Sequence, residues 1–191
     1  MLERCDRCDG NHATHSCRFF DKERESHPDA LIRKCTKRDR GSAPRVSRGT
    51  VVPQPRDGSC LFHSLAYGLT RTHTIDVNAN RLRFEIGLFI GKFPHFQVAD
   101  SPISDWIEWS CKTDAKTYAK SIAWTDRWGG GIELAVCSHL FNVNIHVYQR
   151  EGTTFRCISS FGNAVSENTI NVLYVGRSHY DALTEICYQH S

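Results

Sequence analysis

Two short stretches, far apart in the chain, carry the side chains that a cysteine hydrolase needs. They are residues 57–63 (DGSCLFH) and residues 178–181 (SHYD). A thiol that attacks a carbonyl carbon needs a base within hydrogen-bond reach, and the base needs a third group that holds its tautomer. The sequence therefore predicts Cys60 as the nucleophile and His179 as the base.

The residues that follow Cys60 predict where its thiol lies. Apolar side chains recur at positions 61, 62, 65, 66 and 69, which is the spacing of a helix that begins at or near Cys60. Free N–H groups and the positive end of the helix dipole lie at such a position, and both favour the thiolate. We expect the N–H groups of Gly58, Ser59 and Cys60 to converge on an oxyanion, with Gly58 giving the loop its freedom to turn.

Two carboxylates are candidates for the group that orients His179. Asp181 lies two residues further on, so on a strand it would face the same side as the imidazole. Asp57, in the loop before the nucleophile, is the second candidate, and the spacing alone does not rank the two. His63 falls one helical turn after Cys60, and we expect it to bond a neighbouring loop rather than to act as the base.

Composition predicts one globular domain with a small appendage. The chain has 191 residues, of which 40% are apolar, and no apolar run approaches the ~18 residues of a membrane span. Residues 1–50 hold 12 Lys and Arg against 8 Asp and Glu, so the basic excess belongs to the N-terminal part. We expect a Cys/His-rich segment over residues 1–32, a basic linker over 33–49 and a catalytic domain over 50–187.

The N-terminus is charged and polar, which is unlike a secretory signal. Nine cysteines are then expected as thiols or metal ligands rather than disulfides. We expect a monomeric protein in the cytoplasm or nucleus, away from membranes.

The pattern of elements predicts an α/β (α+β) domain in which helices precede a cluster of strands. One predicted helix follows Cys60, and another begins at Ser101-Pro102, with Ser101 as its N-cap and Pro102 at its first position. Three further helices are predicted over residues 78–93, 113–124 and 131–141. The predicted strands span residues 51–52, 143–148, 154–158, 170–175 and 180–183.

Three motifs in order resemble the ovarian tumour (OTU) family of papain-like deubiquitinating cysteine proteases. The stretch 57–63 resembles the family's Asp-Gly-x-Cys motif, which is followed by apolar residues and an Arg or His. Residues 128–134 (WGGGIEL) resemble its Trp-Gly-Gly…Glu-Leu stretch, and residues 179–181 (HYD) resemble its closing His-Tyr-Asp/Asn. The resemblance covers roughly residues 50–185.

The resemblance implies a papain-like fold with a small central sheet flanked by helices. It implies Cys60 as nucleophile and His179 as general base; Asp57 resembles a position counted with the catalytic set, and Asp181 resembles the orienting Asp/Asn. The implied reaction is hydrolysis of the (iso)peptide bond after the ubiquitin C-terminus through an acyl-enzyme, without a metal. The implied partners are ubiquitin, polyubiquitin chains and ubiquitinated proteins.

The N-terminal segment has the residue spacing of a zinc site. Its candidate ligands are Cys5, Cys8, His12 and Cys17, and the Cys-x2-Cys turn supplies two of the four that tetrahedral zinc requires. A structural zinc would also explain how some 30 residues with few apolar side chains could fold.

Other outcomes stay open for this segment and for the whole chain. His15, His27 and Cys35 are alternative ligands, and a thiol-rich tail that binds nothing specific is the plainer interpretation. The spacing departs by one residue from the zinc knuckle of nucleic-acid-binding proteins, and few aromatic side chains are available for stacking on bases, so nucleic acid is not the expected partner. The alternatives to an enzyme are an inactive OTU-like module that binds ubiquitin and a zinc-knuckle protein that binds nucleic acid.

The zinc site predicts one zinc ion per chain in protein purified without chelators. Replacing Cys5 and Cys8 together by Ser should remove the metal, because two of four ligands are lost. Elemental analysis measures the ratio, and Cys187→Ser is the matched control. A ratio near zero in the unsubstituted protein would eliminate the site.

Overall fold

The computed structural model describes residues 45–73, 75–162, 166, 168–176 and 178–188. The predicted zinc ligands Cys5, Cys8, His12 and Cys17 and their alternatives lie outside these residues, as does most of the predicted linker. The helices are α1 (Cys60–His73), α2 (Ala79–Lys92), α3 (Ile103–Cys111), α4 (Ala115–Trp124) and α5 (Gly131–Phe141). The strands are β1 (Arg45–Val52), β2 (Gln97–Val98), β3 (Ser101–Pro102), β4 (Asn144–Glu151), β5 (Thr154–Phe161), β6 (Thr169–Val175) and β7 (His179–Tyr188).

Side-chain caps fix the starts of two helices. The Asn78 side chain accepts from the N–H of Arg81 at the start of α2, and Asp114 accepts from the N–H of Thr117 at the start of α4. The prediction for α3 was wrong by one residue: Pro102 precedes the helix instead of opening it. Ser101 and Pro102 pair with β2, and this pairing delays the helix to Ile103.

Five strands form a closed barrel in the order β1-β5-β4-β6-β7. The β4 and β6 strands are parallel, and the other pairs are antiparallel. Since β1 begins at Arg45 and pairs with both β5 and β7, residues 45–49 belong to the domain, and the predicted linker over 33–49 was wrong for them. Their backbone pairing, which composition does not reveal, places the start of the domain before residue 50.

The nucleophile helix packs against the barrel. Leu61, Leu65 and Leu69 of α1 are buried in one cluster with Ile170 and Tyr180 of β6 and β7. At Gly68 an added Cβ would lie 2.4 Å from Cγ2 of Ile170, so the helix approaches β6 more closely than any larger residue allows. A second cluster, which includes Val46, Tyr148 and Leu173, joins β1, β4 and β6.

None of the helices in the described part of the chain is long and apolar enough to cross a lipid bilayer. The mixed architecture, with helices packed on a small sheet, confirms the predicted fold class.

Gly68→Ala should destabilise the protein by about 1–3 kcal/mol, because the new methyl group overlaps the buried Ile170 side chain. Denaturant unfolding measures the change. The matched control is Gly91→Ala in α2, where the nearest atom to an added Cβ is the Cβ of Ala119, at 3.3 Å. Equal stability changes in the two variants would contradict the close approach of α1 to β6.

Candidate active site

The fold brings the two chemically competent stretches together. Cys60 is the first residue of α1 and His179 is the first residue of β7, and these two elements pack against each other. The thiol lies close enough to β7 for the N–H of Tyr180 and the carboxylate of Asp181 to act on the pKa of Cys60. Cys60, His179 and Asp181 are each less than 10% exposed, so the cluster is largely shielded from water.

Asp181 is the carboxylate that contacts His179. Its Oδ1 lies 2.9 Å from His179 Nε2 and also accepts the backbone N–H of Gln54 at 2.8 Å. Because a carboxylate accepts here, we assign the proton of the neutral imidazole to Nε2, which leaves the Nδ1 lone pair free to accept a proton. The expected same-side placement of residues 179 and 181 on a strand is confirmed.

Asp57 contacts the loop and His63 instead of His179. Its Oδ2 lies 2.9 Å from His63 Nε2, and its Oδ1 accepts the N–H of Ser59 at 2.9 Å. The His63 hydrogen bond is the main reason why the pKa of Asp57 is lowered, and the Ser59 N–H acts in the same direction. The expectation that His63 bonds a neighbouring loop is confirmed.

The predicted oxyanion donors differ in their availability. The N–H of Ser59 already donates to Asp57, so the expectation of three converging donors was wrong for Ser59 in this conformation. The N–H of Cys60 lies at the first helical position, where the helix offers it no acceptor. Gly58 has a φ of +83°, and an added Cβ would lie 2.6 Å from the carbonyl oxygen of Asp126, so this turn requires glycine.

Burial changes the acidity expected of the nucleophile. Desolvation raises the pKa of Cys60, and the carboxylates of Asp57 and Asp181 raise it further, whereas the N–H groups of Tyr180 and Leu61 lower it. The helix start alone was expected to lower this pKa, and that expectation was wrong because desolvation outweighs the N–H groups. The thiol therefore needs a neighbouring base in order to ionise at neutral pH.

A buried arginine that contacts the nucleophile loop was not predicted from the sequence. Arg83 of α2 is 4% exposed, and its Nη2 donates to the carbonyl oxygen of Gly58 at 2.9 Å and to Ser59 Oγ at 3.1 Å. Its Nη1 donates to the carbonyl oxygens of Ile122 and Arg127. The available signal was a charged side chain adjacent to Leu82 and three residues before Ile86, on the apolar face of the helix.

The glycine-rich segment before α5 lies against the first turn of α1. An added Cβ at Gly129 would lie 2.9 Å from Leu61 Cδ2 and 3.0 Å from the Phe62 ring, which explains the glycine. Glu133 is fully buried and caps its own helix by accepting the N–H of Gly130 at 2.7 Å. Burial raises its pKa, and the hydroxyl of Tyr118 also donates to it at 2.9 Å.

Within the described ranges, no group of three or more His, Cys, Asp or Glu side chains is placed to hold a metal ion.

Comparisons with known proteins point to one family. A family model described as "OTU-like cysteine protease" matches residues 55–182. The "OVARIAN TUMOR DOMAIN-containing deubiquitinating enzyme 4" of Arabidopsis thaliana is 31% identical over 139 residues, which cover 70% of this chain and 43% of the relative. "Ubiquitin thioesterase OTU1" of Saccharomyces cerevisiae is 29% identical over 135 residues, covering 71% of this chain and 39% of the relative. The chain thus spans less than half the length of these two relatives.

Solved structures have the same fold. A structure titled "Structure of Ovarian Tumor (OTU) domain in complex with Ubiquitin" has a TM-score of 0.55 at 25% identity, covering 75% of this chain and 76% of that one. The Hazara virus OTU bound to ubiquitin has a TM-score of 0.57 at 20% identity, covering 78% of this chain and 89% of that one.

The raised thiol pKa predicts how alkylation of Cys60 by iodoacetamide depends on pH. In His179→Ala the rate should rise only above the ordinary thiol pKa of about 8.5, because burial and two carboxylates disfavour the thiolate. The unsubstituted protein should react at lower pH, because His179 takes the proton. Peptide mass spectrometry follows Cys60, with the exposed Cys187 as an internal control. Identical profiles with and without His179 would contradict the pairing.

Proposed function

The chain belongs to the family of OTU-like cysteine proteases, and on that premise we propose that it is a deubiquitinating enzyme. It hydrolyses the (iso)peptide bond after the ubiquitin C-terminus with Cys60 as nucleophile, His179 as general base and acid, and Asp181 as the orienting group. One observation carries the proposal: the helix that begins at the buried Cys60 packs against the strand that begins at His179, and Nε2 of this histidine is 2.9 Å from a carboxylate oxygen of Asp181.

In the first half of the reaction, His179 Nδ1 accepts the thiol proton and the thiolate attacks the carbonyl carbon of the scissile bond. The negative charge moves to the carbonyl oxygen, which accepts hydrogen bonds from the N–H groups of Cys60 and Gly58. The tetrahedral intermediate then collapses, the C–N bond breaks, and His179 returns its proton to the departing lysine amine. The product is a thioester between Cys60 and ubiquitin.

In the second half, water takes the place of the amine. His179 Nδ1 accepts a proton from a water molecule as the water oxygen attacks the thioester carbon, and the C–S bond then breaks. The proton passes to the thiolate, which restores the thiol, and ubiquitin leaves with a C-terminal carboxylic acid that gives its remaining proton to solvent. Asp181 holds the imidazole in the same orientation throughout and stabilises its cation.

Asp57 has a different part in this scheme from the one that family resemblance implied. Its two oxygens are occupied by His63 and by the N–H of Ser59, so it holds the loop that precedes the nucleophile. The proposal therefore assigns loop geometry to Asp57 and histidine orientation to Asp181.

Ubiquitin as the substrate rests on the relatives. The Arabidopsis and yeast relatives are named as a deubiquitinating enzyme and a ubiquitin thioesterase, and the OTU domain at 25% identity was solved in complex with ubiquitin. Polyubiquitin chains and ubiquitinated proteins extend this substrate class. The structural zinc, the monomeric state and the cytoplasmic or nuclear location stay predictions from the sequence.

A fluorogenic ubiquitin C-terminal amide tests both the activity and the roles of the two aspartates. Cys60→Ala should abolish turnover, and Asp181→Ala should reduce kcat by about 10²- to 10⁴-fold because the base loses both the acceptor that orients it and the charge that stabilises its cation. The matched substitution Asp57→Ala should cost about tenfold at most, since it removes a partly exposed ion pair and a loop hydrogen bond but leaves the contact between His179 and Asp181 in place.

Two outcomes would contradict the proposal. Ubiquitin binding without turnover of the amide or of any linkage-defined di-ubiquitin would favour the inactive binding module. Equal losses in Asp57→Ala and Asp181→Ala would contradict the division of roles between the two carboxylates.

A further inference from the structure

We propose that Arg83 is a positioning residue that holds the peptide groups of the nucleophile loop in the orientation that oxyanion stabilisation requires. The inference rests on the proposed function. It starts from the Arg83 guanidinium, which joins the loop before Cys60 to the end of α4 and the segment that follows it through four hydrogen bonds of 2.7–3.1 Å.

The peptide between Gly58 and Ser59 is held from both of its sides. Its carbonyl oxygen accepts from Arg83 Nη2 at 2.9 Å, and its N–H donates to Asp57 Oδ1 at 2.9 Å. Rotation of this peptide would break both hydrogen bonds, one of them to a buried charge. The orientation of the peptide also sets where the adjacent Gly58 and Cys60 N–H groups point, because all three belong to one short turn.

The next peptide is fixed by the helix. The carbonyl oxygen of Ser59 accepts from the N–H of His63 at 2.9 Å, which is the first hydrogen bond of α1. The N–H of Cys60 belongs to the same planar group and therefore points away from the helix, towards the space that the oxyanion would occupy. Arg83 also bonds the Ser59 hydroxyl at 3.1 Å, so it contacts the residue where loop and helix meet.

The guanidinium itself has little freedom to move. Its central carbon lies 4.1 Å from the centroid of the Phe62 ring, and Phe62 is fully buried in the first turn of α1. The carbonyl oxygens of Ile122 and Arg127 hold Nη1 at 3.0 and 2.7 Å. A planar fork with several donors can serve four acceptors at once, which a lysine ammonium with three donors cannot.

The burial of Arg83 is not explained by its contribution to stability alone. Within the described residues, Arg83 Nε is buried without a hydrogen-bond partner, and burying such a donor lowers the stability of the fold. Burial lowers the pKa of Arg83, which reflects the cost of keeping a cation there. Replacing buried charges by apolar side chains of similar volume is often neutral or stabilising. A buried arginine with these costs and these loop contacts indicates a role in activity.

The test compares Arg83→Met and Arg83→Lys with Arg81→Met and Arg81→Lys. Arg81 lies on the same helix, is mainly exposed and pairs with Glu85, so it is the matched control. With a fluorogenic ubiquitin C-terminal amide, both Arg83 variants should lose about 10- to 100-fold in kcat with KM within threefold, because oxyanion donors act in the transition state. In Arg83→Lys, which keeps the positive charge that interacts with Cys60, alkylation of Cys60 by iodoacetamide, which forms no oxyanion, should stay within threefold of the unsubstituted protein. The Arg81 variants should match the unsubstituted protein in both assays.

Two further measurements separate positioning from folding. Guanidinium chloride at about 20 mM should partly restore turnover by Arg83→Ala, and equimolar sodium chloride should not, because only guanidinium reproduces the planar fork. Hydrogen–deuterium exchange over residues 54–60 should be faster in Arg83→Met than in Arg81→Met, and this readout does not depend on activity.

The results separate failure of the inference from failure of the proposed function. An unsubstituted protein that turns over no ubiquitin substrate would refute the proposed function and, with it, the role of Arg83 in catalysis. An active protein whose Arg83 variants keep kcat within threefold would overturn the inference alone. Parallel losses in kcat and in Cys60 alkylation, without rescue by guanidinium, would also overturn it, because they would indicate general damage to the fold.

Discussion

The packing of α1 against β6 and β7 is the contact on which the candidate active site depends. The apolar face of α1, with Leu65 and Leu69 fully buried, lies on the same cluster as Ile170 and Tyr180. Gly68 permits an approach that any Cβ would prevent. Because Cys60 begins this helix and His179 begins β7, hydrophobic burial brings together two elements whose first residues are distant in sequence.

The same burial sets the chemical requirement for catalysis. Shielding Cys60 from water raises the pKa of its thiol, and the N–H groups at the helix start only partly offset that effect. A nucleophile in this environment needs a base that takes its proton, and a base needs an orienting group. The two aspartates near the thiol have different partners: Asp181 contacts His179, whereas Asp57 contacts His63 and the Ser59 N–H. In the proposed mechanism, loop geometry and histidine orientation are thus separate functions.

Buried polar side chains hold the backbone segments around the thiol. Arg83 holds the loop before Cys60 by donating to the carbonyl oxygen of Gly58. Glu133 caps α5 by accepting the N–H of Gly130, and it also accepts the hydroxyl of Tyr118. Both are charged residue types with almost no exposure to water, and each satisfies backbone groups where the chain leaves regular structure. Such groups cost stability to bury, so their positions coincide with the parts of the fold whose geometry matters for chemistry.

The sequence by itself determined the residue types capable of the chemistry and most of the elements that carry them. Helical spacing after Cys60 predicted α1, and strand alternation predicted that residues 179 and 181 share a face, because both periodicities are local properties of the backbone. Tertiary structure alone decided that Asp181, and not Asp57, contacts His179, and that the N–H of Ser59 already donates to Asp57. It also decided that β1, which begins at Arg45, pairs with β7 and that Arg83 donates to the carbonyl oxygen of Gly58 in the nucleophile loop. These outcomes depend on contacts between residues distant in sequence and on desolvation, neither of which a local pattern records.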